Sequence, residues 1–274
     1  MGLLSVDQNK CASDGICSMV CPTGIIRLQG EPGHPQIVPG GDPMCIGCGH
    51  CVAACPHGAL DHARVPLASC LPIDPGLAIR ENQAVQFLRS RRSIRLYREK
   101  PVEREKIRRL IEIARYAPTG SNSQMVAWVV FSDRARIREL SAKTVDWMRQ
   151  ALRDDPQAVS VGYLPLIVAA WDAGIDAVLR NAPVLLVATA PEEATNGLVD
   201  LSLALAYLEL AAPTLGLGTC WAGVLRRGLL SSPELREAAG IPRGHPYYYP
   251  MMMGYPKLSY HRLPERKAPK VRWL

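Results

Sequence analysis

At 274 residues the chain has room for a small domain joined to a larger one, and two domains are expected. Its 48% hydrophobic and 21% charged content is that of a packed globular protein and excludes disordered and fibrous classes. The net formal charge of +7 is uneven: residues 1–65 hold 3 Lys/Arg against 5 Asp/Glu, leaving +9 for the remainder, much of it in RSRRSIRLYREK (89–100) and in the tail after Lys257. No nucleic-acid module accompanies those basic clusters, and phosphate-bearing small cofactors use the same residues, so no nucleic-acid partner is expected.

A membrane span needs ~20 apolar residues. LPLIVAAW (164–171) is too short and the run from Leu198 is broken by Asp200 and Glu209, so no span is expected. The first residues, MGLLSVDQNK, lack the basic start, long apolar run and small-residue cleavage site of a secretory signal, and the expectation is a cytoplasmic protein.

In chain order, the cysteines come first. Of nine, seven lie within residues 11–55 at two- and three-residue gaps, which suits a metal centre in a reducing compartment better than a disulfide framework. CIGCGHCVAACP (45–56) has the spacing CxxCxxCxxxCP, in which three thiolates wrap one face of an iron–sulfur cube and the cysteine before proline turns to a neighbouring cluster. Gly47 and Gly49 permit the tight bends that aim amides at sulfur. The alternative, a zinc site, usually takes four ligands as two pairs. In CASDGICSMVCP (11–22) the same frame places Asp14 in the second ligand slot.

One complete motif beside one altered motif resembles the two-cluster bacterial ferredoxins over about residues 5–62. The resemblance implies crossed ligation: Cys11, Asp14, Cys17 and Cys55 around one 4Fe-4S cluster, and Cys45, Cys48, Cys51 and Cys21 around the other. Asp14 departs from the main family pattern. A carboxylate is a harder and less covalent ligand than a thiolate, which leaves three outcomes: an Asp-ligated 4Fe-4S cluster, a 3Fe-4S cluster with that corner empty, or a 4Fe-4S cluster with water there. A solvated turn aspartate ahead of Gly15 is the alternative. His50 and His57 read as surface histidines.

Residues 66–82 are proline-rich and aperiodic and read as a linker between domains at 1–65 and 83–274, with Cys70 a free thiol. Beyond it, PVEREKIRRLIEIARYAP (101–118) has the start, stop and apolar face of an amphipathic helix. Further helices are expected at about 134–153 and 197–215, and a short one from Ser232 to Gly240. VAWVVF (126–131), PVLLVATA (183–190) and YYYPMMMGY (247–255) have strand length, so an α+β fold is expected. The helix at 198–212 is apolar nearly all round and calls for burial in the domain centre and against a second subunit.

RRSIR (91–95) offers guanidinium forks and a hydroxyl suited to a phosphomonoester. Together with APTGSNSQ (117–124), GLGTCWAG (216–223) and GYPKLSYHRLPER (254–266), it resembles the FMN-dependent nitroreductase family over about residues 85–265. The resemblance implies helices around a mixed, mainly antiparallel sheet and a homodimer with FMN at the subunit interface. It implies that Arg91, Ser93 and Arg262 hold the phosphate, that Arg92 assists through its backbone, and that Arg95 lies near the pyrimidine end, where a cation raises the flavin potential. Asn122 and Gln124 would bind ribityl or ring edges, and the Ala222-Gly223 backbone would approach the ring face. SQMVAW lacks the family's Pro-Trp after Asn-x-Gln, so the pocket wall is not implied. GLGTCWAG has the wrong spacing for a dinucleotide loop, and Cys220 in it reads as packing. Residues 145–165 suit a lid by their mixed composition.

The resulting expectation is an iron–sulfur flavoprotein oxidoreductase. Electrons from a soluble one-electron donor such as ferredoxin would pass through two clusters to FMN and on to a nitroaromatic, quinone or activated alkene. No certain catalytic side chain is named. An electron-transfer or redox-sensing module serving a protein partner is the alternative.

Overall fold

In the computed structural model, residues 2–154 and 162–274 are described. The chain divides into two units, Met1–Ala78 with Ser121–Ser123, and Ile79–Gly120 with Gln124–Leu274.

The first unit is built from two halves of the same design, offset by 34 positions: Cys11, Gly15, Cys17, Cys21 and Gly24 recur as Cys45, Gly49, Cys51, Cys55 and Gly58. Each half turns through a left-handed glycine into a short helix, α1 (Ile16–Met19) after Gly15 at φ 75° and α2 (His50–Ala54) after Gly49 at φ 71°. β1 (Leu4–Val6) pairs antiparallel with the last strand of the unit, β4 (Leu60–His62), and β2 (Ile26–Gln29) forms a hairpin with β3 (His34–Ile37). Among the described residues, the buried members of its apolar cluster are Cys17, Ile25, Ile26, Cys51, Val52 and Leu60. A core that small rarely holds a unit of this length without a cross-link or a bound metal.

In the second unit, α3 (Glu81–Ser90) and α4 (Arg104–Ala114) precede a four-stranded sheet. The strands are β5 (Ala127–Phe131), β6 (Val184–Ala190), β7 (Gly218–Trp221) and β8 (Tyr247–Gly254), in the order β5-β6-β8-β7 with every pair antiparallel. β6 is buried along its whole length, and its alternation divides the core in two. Leu185 and Val187 join the cluster containing α5 (Arg134–Asp154), α6 (Leu164–Asp172) and α8 (Gly223–Ser231), whereas Val184, Leu186, Ala188 and Ala190 join α4 and α7 (Gly197–Ala211). A continuous apolar strand is what a sheet covered on both faces requires.

α7 follows the same logic. Leu201, Ala204, Leu205 and Leu208 form a stripe at helical spacing that packs on α4, β6 and β8. With its 3-10 extension, Gly197–Leu215 is long and apolar enough by length and composition to cross a membrane, so Asp200 and Glu209 do not break the run as the sequence suggested. Both acids are buried, at 2% and 6% exposure, and accept hydrogen bonds within the packed unit. Away from that stripe Val199, Leu203 and Tyr207 are exposed in the single chain, as is Leu198 in the first turn.

Gly197 and Gly218 mark close approaches. A Cβ on Gly197 would lie 2.2 Å from the Tyr247 ring, and one on Gly218 2.3 Å from Ile94 Cγ1. The short helix α9 (Pro233–Ala238) is capped by Ser232, whose hydroxyl accepts from Leu235 N at 3.2 Å. α6, β7 and α8 were not anticipated, because a proline near the start of α6 and glycines in β7 and α8 disguise their periods. The lid assigned to 145–165 is corrected in its first part: residues 145–154 complete α5, with Val145 and Met148 fully buried, while 155–161 lie outside the described residues.

Candidate functional site

Two cavities flank the halves of the first unit. One is lined by Cys11, Asp14, Cys17 and Cys55 together with Ser13, Leu28 and His57. The other is lined by Cys21, Cys45, Cys48 and Cys51 together with His50 and His62. Among the described residues no three His, Cys, Asp or Glu side chains gather closely enough to hold a single metal ion. Thiols spread around a cavity suit a multi-iron cluster, whereas a zinc site draws its four ligands to about 2.3 Å from one point. Ser13 Oγ, buried without a partner at the rim of the first cavity, is a further sign that these residues fit an added group.

Donors already point at the sulfurs. Gly47 N donates to Cys45 Sγ at 3.4 Å, and Ala59 N to Cys55 Sγ at 3.4 Å. Burial pushes the Cys17 and Cys51 thiols up, a cost that metal binding would reverse by taking the thiolate. Asp14 Oδ1 accepts from Ile16 N at 3.1 Å, and Oδ2 lies 3.9 Å from His57 Nε2, so the carboxylate both opens α1 and faces the cavity. Cys70, with its thiol 3.5 Å from Pro66 O, lines neither cavity.

Asn122 belongs to the first unit, and its Nδ2 donates to Ile46 O at 3.0 Å and Gly47 O at 3.1 Å, the loop between Cys45 and Cys48.

In the second unit the basic segment runs beside β7: Ile94 N donates to Thr219 O at 2.8 Å, and the Ser93 hydroxyl bonds the Cys220 thiol. Arg91 ends α3, and its Nη1 lies 3.0 Å from Glu209 Oε1. Glu209 Oε2 accepts from Trp221 Nε1 at 2.9 Å. One buried carboxylate thus fixes both an arginine of RRSIR and an aromatic of GLGTCWAG. The sequence reading took Glu209 as a mere interruption, although a carboxylate inside an apolar helix signals a buried pair. Asp200 does the like at the other end of α7, accepting from Gly120 N at 2.9 Å.

Arg92 is turned back on its own chain, donating to Arg89 O and Arg91 O at 3.0 and 2.7 Å. Arg95 is exposed near Cys220 and Tyr97. Ala222 is buried and donates its N–H to Pro250 O at 2.9 Å, and Gly223 opens α8 with only Tyr249 Oη near its missing Cβ, at 3.6 Å. Arg226, not singled out in the sequence, lies over the Tyr249 ring at 4.7 Å with its Nε buried and unpartnered. That orphaned donor, one helical turn beyond Gly223, fits an added polar group such as a flavin phosphate or carbonyl. Arg262 lies on the exposed tail, which the Arg89–Glu265 ion pair at 3.3 Å ties to the end of α3. Gln124, at φ 52°, lines a separate cavity of about 220 Å³ with Thr119 and Trp128. Burial pushes the Cys220 thiol up and keeps it a poor nucleophile.

Residues 88–255 match the model of the Nitroreductase family. The chain belongs to the nitroreductase family. Residues 3–56 match the 4Fe-4S dicluster domain, so this nitroreductase carries an amino-terminal iron–sulfur domain. It is 28% identical over 176 residues to a putative NADH dehydrogenase/NAD(P)H nitroreductase of Archaeoglobus fulgidus, covering 64% of this chain and 86% of the relative. It is 31% identical over 81 residues to ferredoxin-3 of Rhodobacter capsulatus, covering 22% of this chain and 80% of that protein. In fold, the nitroreductase with bound FMN from Bacteroides fragilis NCTC 9343 superposes with a TM-score of 0.58 at 20% identity, over 71% of this chain and 100% of that one. The four antiparallel strands between helical layers and the separate amino-terminal unit are the α+β architecture expected from the sequence.

Proposed function

We propose that this iron–sulfur flavoprotein reductase takes electrons one at a time from a soluble donor such as ferredoxin and delivers them to an organic acceptor, a nitroaromatic, quinone or activated alkene. The observation that carries the reading is the presence, in one nitroreductase chain, of two separate cavities each lined by three or four cysteines. Bound clusters would supply one-electron transfer and bound FMN the conversion between single electrons and a hydride. A nicotinamide passes hydride to flavin directly and has no need of clusters, which is why a one-electron donor is favoured.

In this reading Cys11, Asp14, Cys17 and Cys55 hold one cluster, and Cys21, Cys45, Cys48 and Cys51 the other. Asp14 leaves that first cluster as 4Fe-4S or 3Fe-4S. Arg91 and Ser93, with Arg262 from the tail, hold the FMN phosphate. Arg92 serves through its backbone, since its guanidinium is spent on two carbonyls. Glu209 orients Arg91 and removes part of its charge, and Arg95 offers a cation to the pyrimidine end. Gln124 contacts a ribityl or ring edge, Ala222 and Gly223 present small residues to the ring face, and the Asn122 amide nitrogen is spent on Ile46 O and Gly47 O. The protein acts in the cytoplasm as a homodimer, and it is the homodimer that the exposed apolar side of α7 and the tail after Tyr255, in which no side chain is buried, support.

Anaerobic stopped-flow reduction tests the donor. Reduced ferredoxin should bleach the flavin of the cluster-loaded protein and fail with the cluster-free protein. Full turnover of the cluster-free protein with NADH or NADPH alone would overturn the reading.

A further inference from the structure

Besides Asp14 and Cys48, the two halves of the first unit differ at a second pair of equivalent positions in a way that bears on electron flow. The 34-residue offset that relates Cys11 to Cys45 also relates Leu28 to His62. Each lines the cavity of its own half, Leu28 with Cys11, Asp14 and Cys17, His62 with Cys45, Cys48 and Cys51. Leu28 offers a methyl group. His62 is only 4% exposed, and its Nε2 lies 3.4 Å from Cys45 Sγ.

Backbone geometry assigns the proton. Arg64 N donates to His62 Nδ1 at 3.1 Å, so Nδ1 is the acceptor and the neutral ring carries its hydrogen on Nε2, aimed at the sulfur. The ring has little freedom to turn away. His62 sits in β4 opposite Leu4, Asp61 Oδ1 accepts from both His62 N at 2.9 Å and Leu67 N at 2.8 Å, and Arg64 Nη1 grips Cys45 O at 2.7 Å. Cys45 Sγ therefore has two donors, His62 Nε2 and Gly47 N.

We propose that His62 donates a hydrogen bond to Cys45 sulfur and holds the reduction potential of the cluster among Cys21, Cys45, Cys48 and Cys51 above the value it would have with an apolar residue at 62. The inference rests on the ligand reading given above. One electron enters that cluster from the donor, no bond to carbon is made or broken, and the proton stays on Nε2. A hydrogen bond to sulfur stabilises the more negative reduced cluster more than the oxidised one, so it favours reduction. His62 is a positioning and tuning residue and touches neither acceptor nor flavin in this role.

The test is an EPR-monitored redox titration of the anaerobic, cluster-loaded full chain as wild type, His62→Leu and His62→Gln. His62→Leu installs the residue found at the equivalent place in the other half. It should lower one midpoint by about tenfold in the reduction equilibrium, ~59 mV for one electron, and leave the second midpoint in place. Gln retains a side-chain N–H and should recover most of that shift. Full iron content with both midpoints unchanged in His62→Leu overturns the proposal, and so does an equal shift of both midpoints, which would mark a general structural effect. If the Leu variant does not fold, pulsed EPR of the reduced His50→Ala/His57→Ala protein labelled with 15N-histidine decides the matter: a histidine nitrogen coupled to the cluster supports the bond, and its absence refutes it. A wild-type chain that binds no iron and sulfide under reconstitution is a different failure, since it removes the underlying cluster reading.

Discussion

Glu209 is the residue on which the architecture of the second unit can be tested most directly. Its side chain is 7% exposed and that of Arg91 29%, and it accepts from Arg91 at 3.0 Å and from Trp221 at 2.9 Å. Glu209→Gln keeps the volume but leaves one oxygen for two donors, so one charge-assisted bond is lost, at about 2 kcal/mol. Glu209→Leu removes both acceptors and leaves the guanidinium without its counter-charge, for a loss of about 4 kcal/mol, in the range for breaking a buried pair by deleting one partner. Adding Arg91→Met to the Leu variant should recover about half of that, because the remaining apolar pair leaves only the Trp221 N–H unsatisfied. All five tryptophans lie between Trp128 and Trp273, so fluorescence during urea unfolding reports the second unit alone. With a slope near ~2 kcal/mol/M, the Gln and Leu midpoints should fall by about 1 M and 2 M. A Leu variant that unfolds at the wild-type urea concentration would refute the claim that this carboxylate secures the arginine and the tryptophan.

Gly197→Ala should destabilise by about 2 kcal/mol despite the better helix propensity of alanine, since the new Cβ meets the Tyr247 ring at 2.2 Å; thermal melting that shows a stabler protein would contradict this packing. The hydrogen bond from the Tyr255 hydroxyl, followed by one from the Glu103 backbone, lowers the Glu103 pKa from 4.5 to about 2. A depressed folded-state value means that its contribution is present above pH ~4.5 and fades as pH falls toward ~2. Stability measured over that window should therefore decline less steeply in Glu103→Gln than in wild type, and equal slopes would count against the interaction. Asp14→Cys should change the EPR spectrum of one cluster if the carboxylate faces iron. An unchanged spectrum in a fully loaded variant would make Asp14 only the residue that opens α1.

Local pattern made much of this protein legible. Cysteines with two or three residues between them lie within about one turn of backbone, so their grouping is a property of the chain before it folds. The helices at α4 and α5 and the strands β5, β6 and β8 are likewise visible because a period of 3.6 or an uninterrupted apolar run is a short-range signal. β7 escaped notice because it is short and opens on a glycine, and what makes it a strand is its pairing with β8, which the local sequence does not show.

What remained for the tertiary structure were the pairings between distant positions. Glu209 meets Arg91 across 118 residues and Asp200 meets Gly120 across 80, contacts that exist only because α7 is buried between the sheet and α4 and no lone carboxylate can stay there. His62 looks like any other histidine in the chain until β4 pairs with β1 and turns it toward Cys45. Residue types and their spacing decide which chemistry a chain can attempt. Which donor faces which acceptor is settled by strand register and by the need to satisfy every polar group that folding buries.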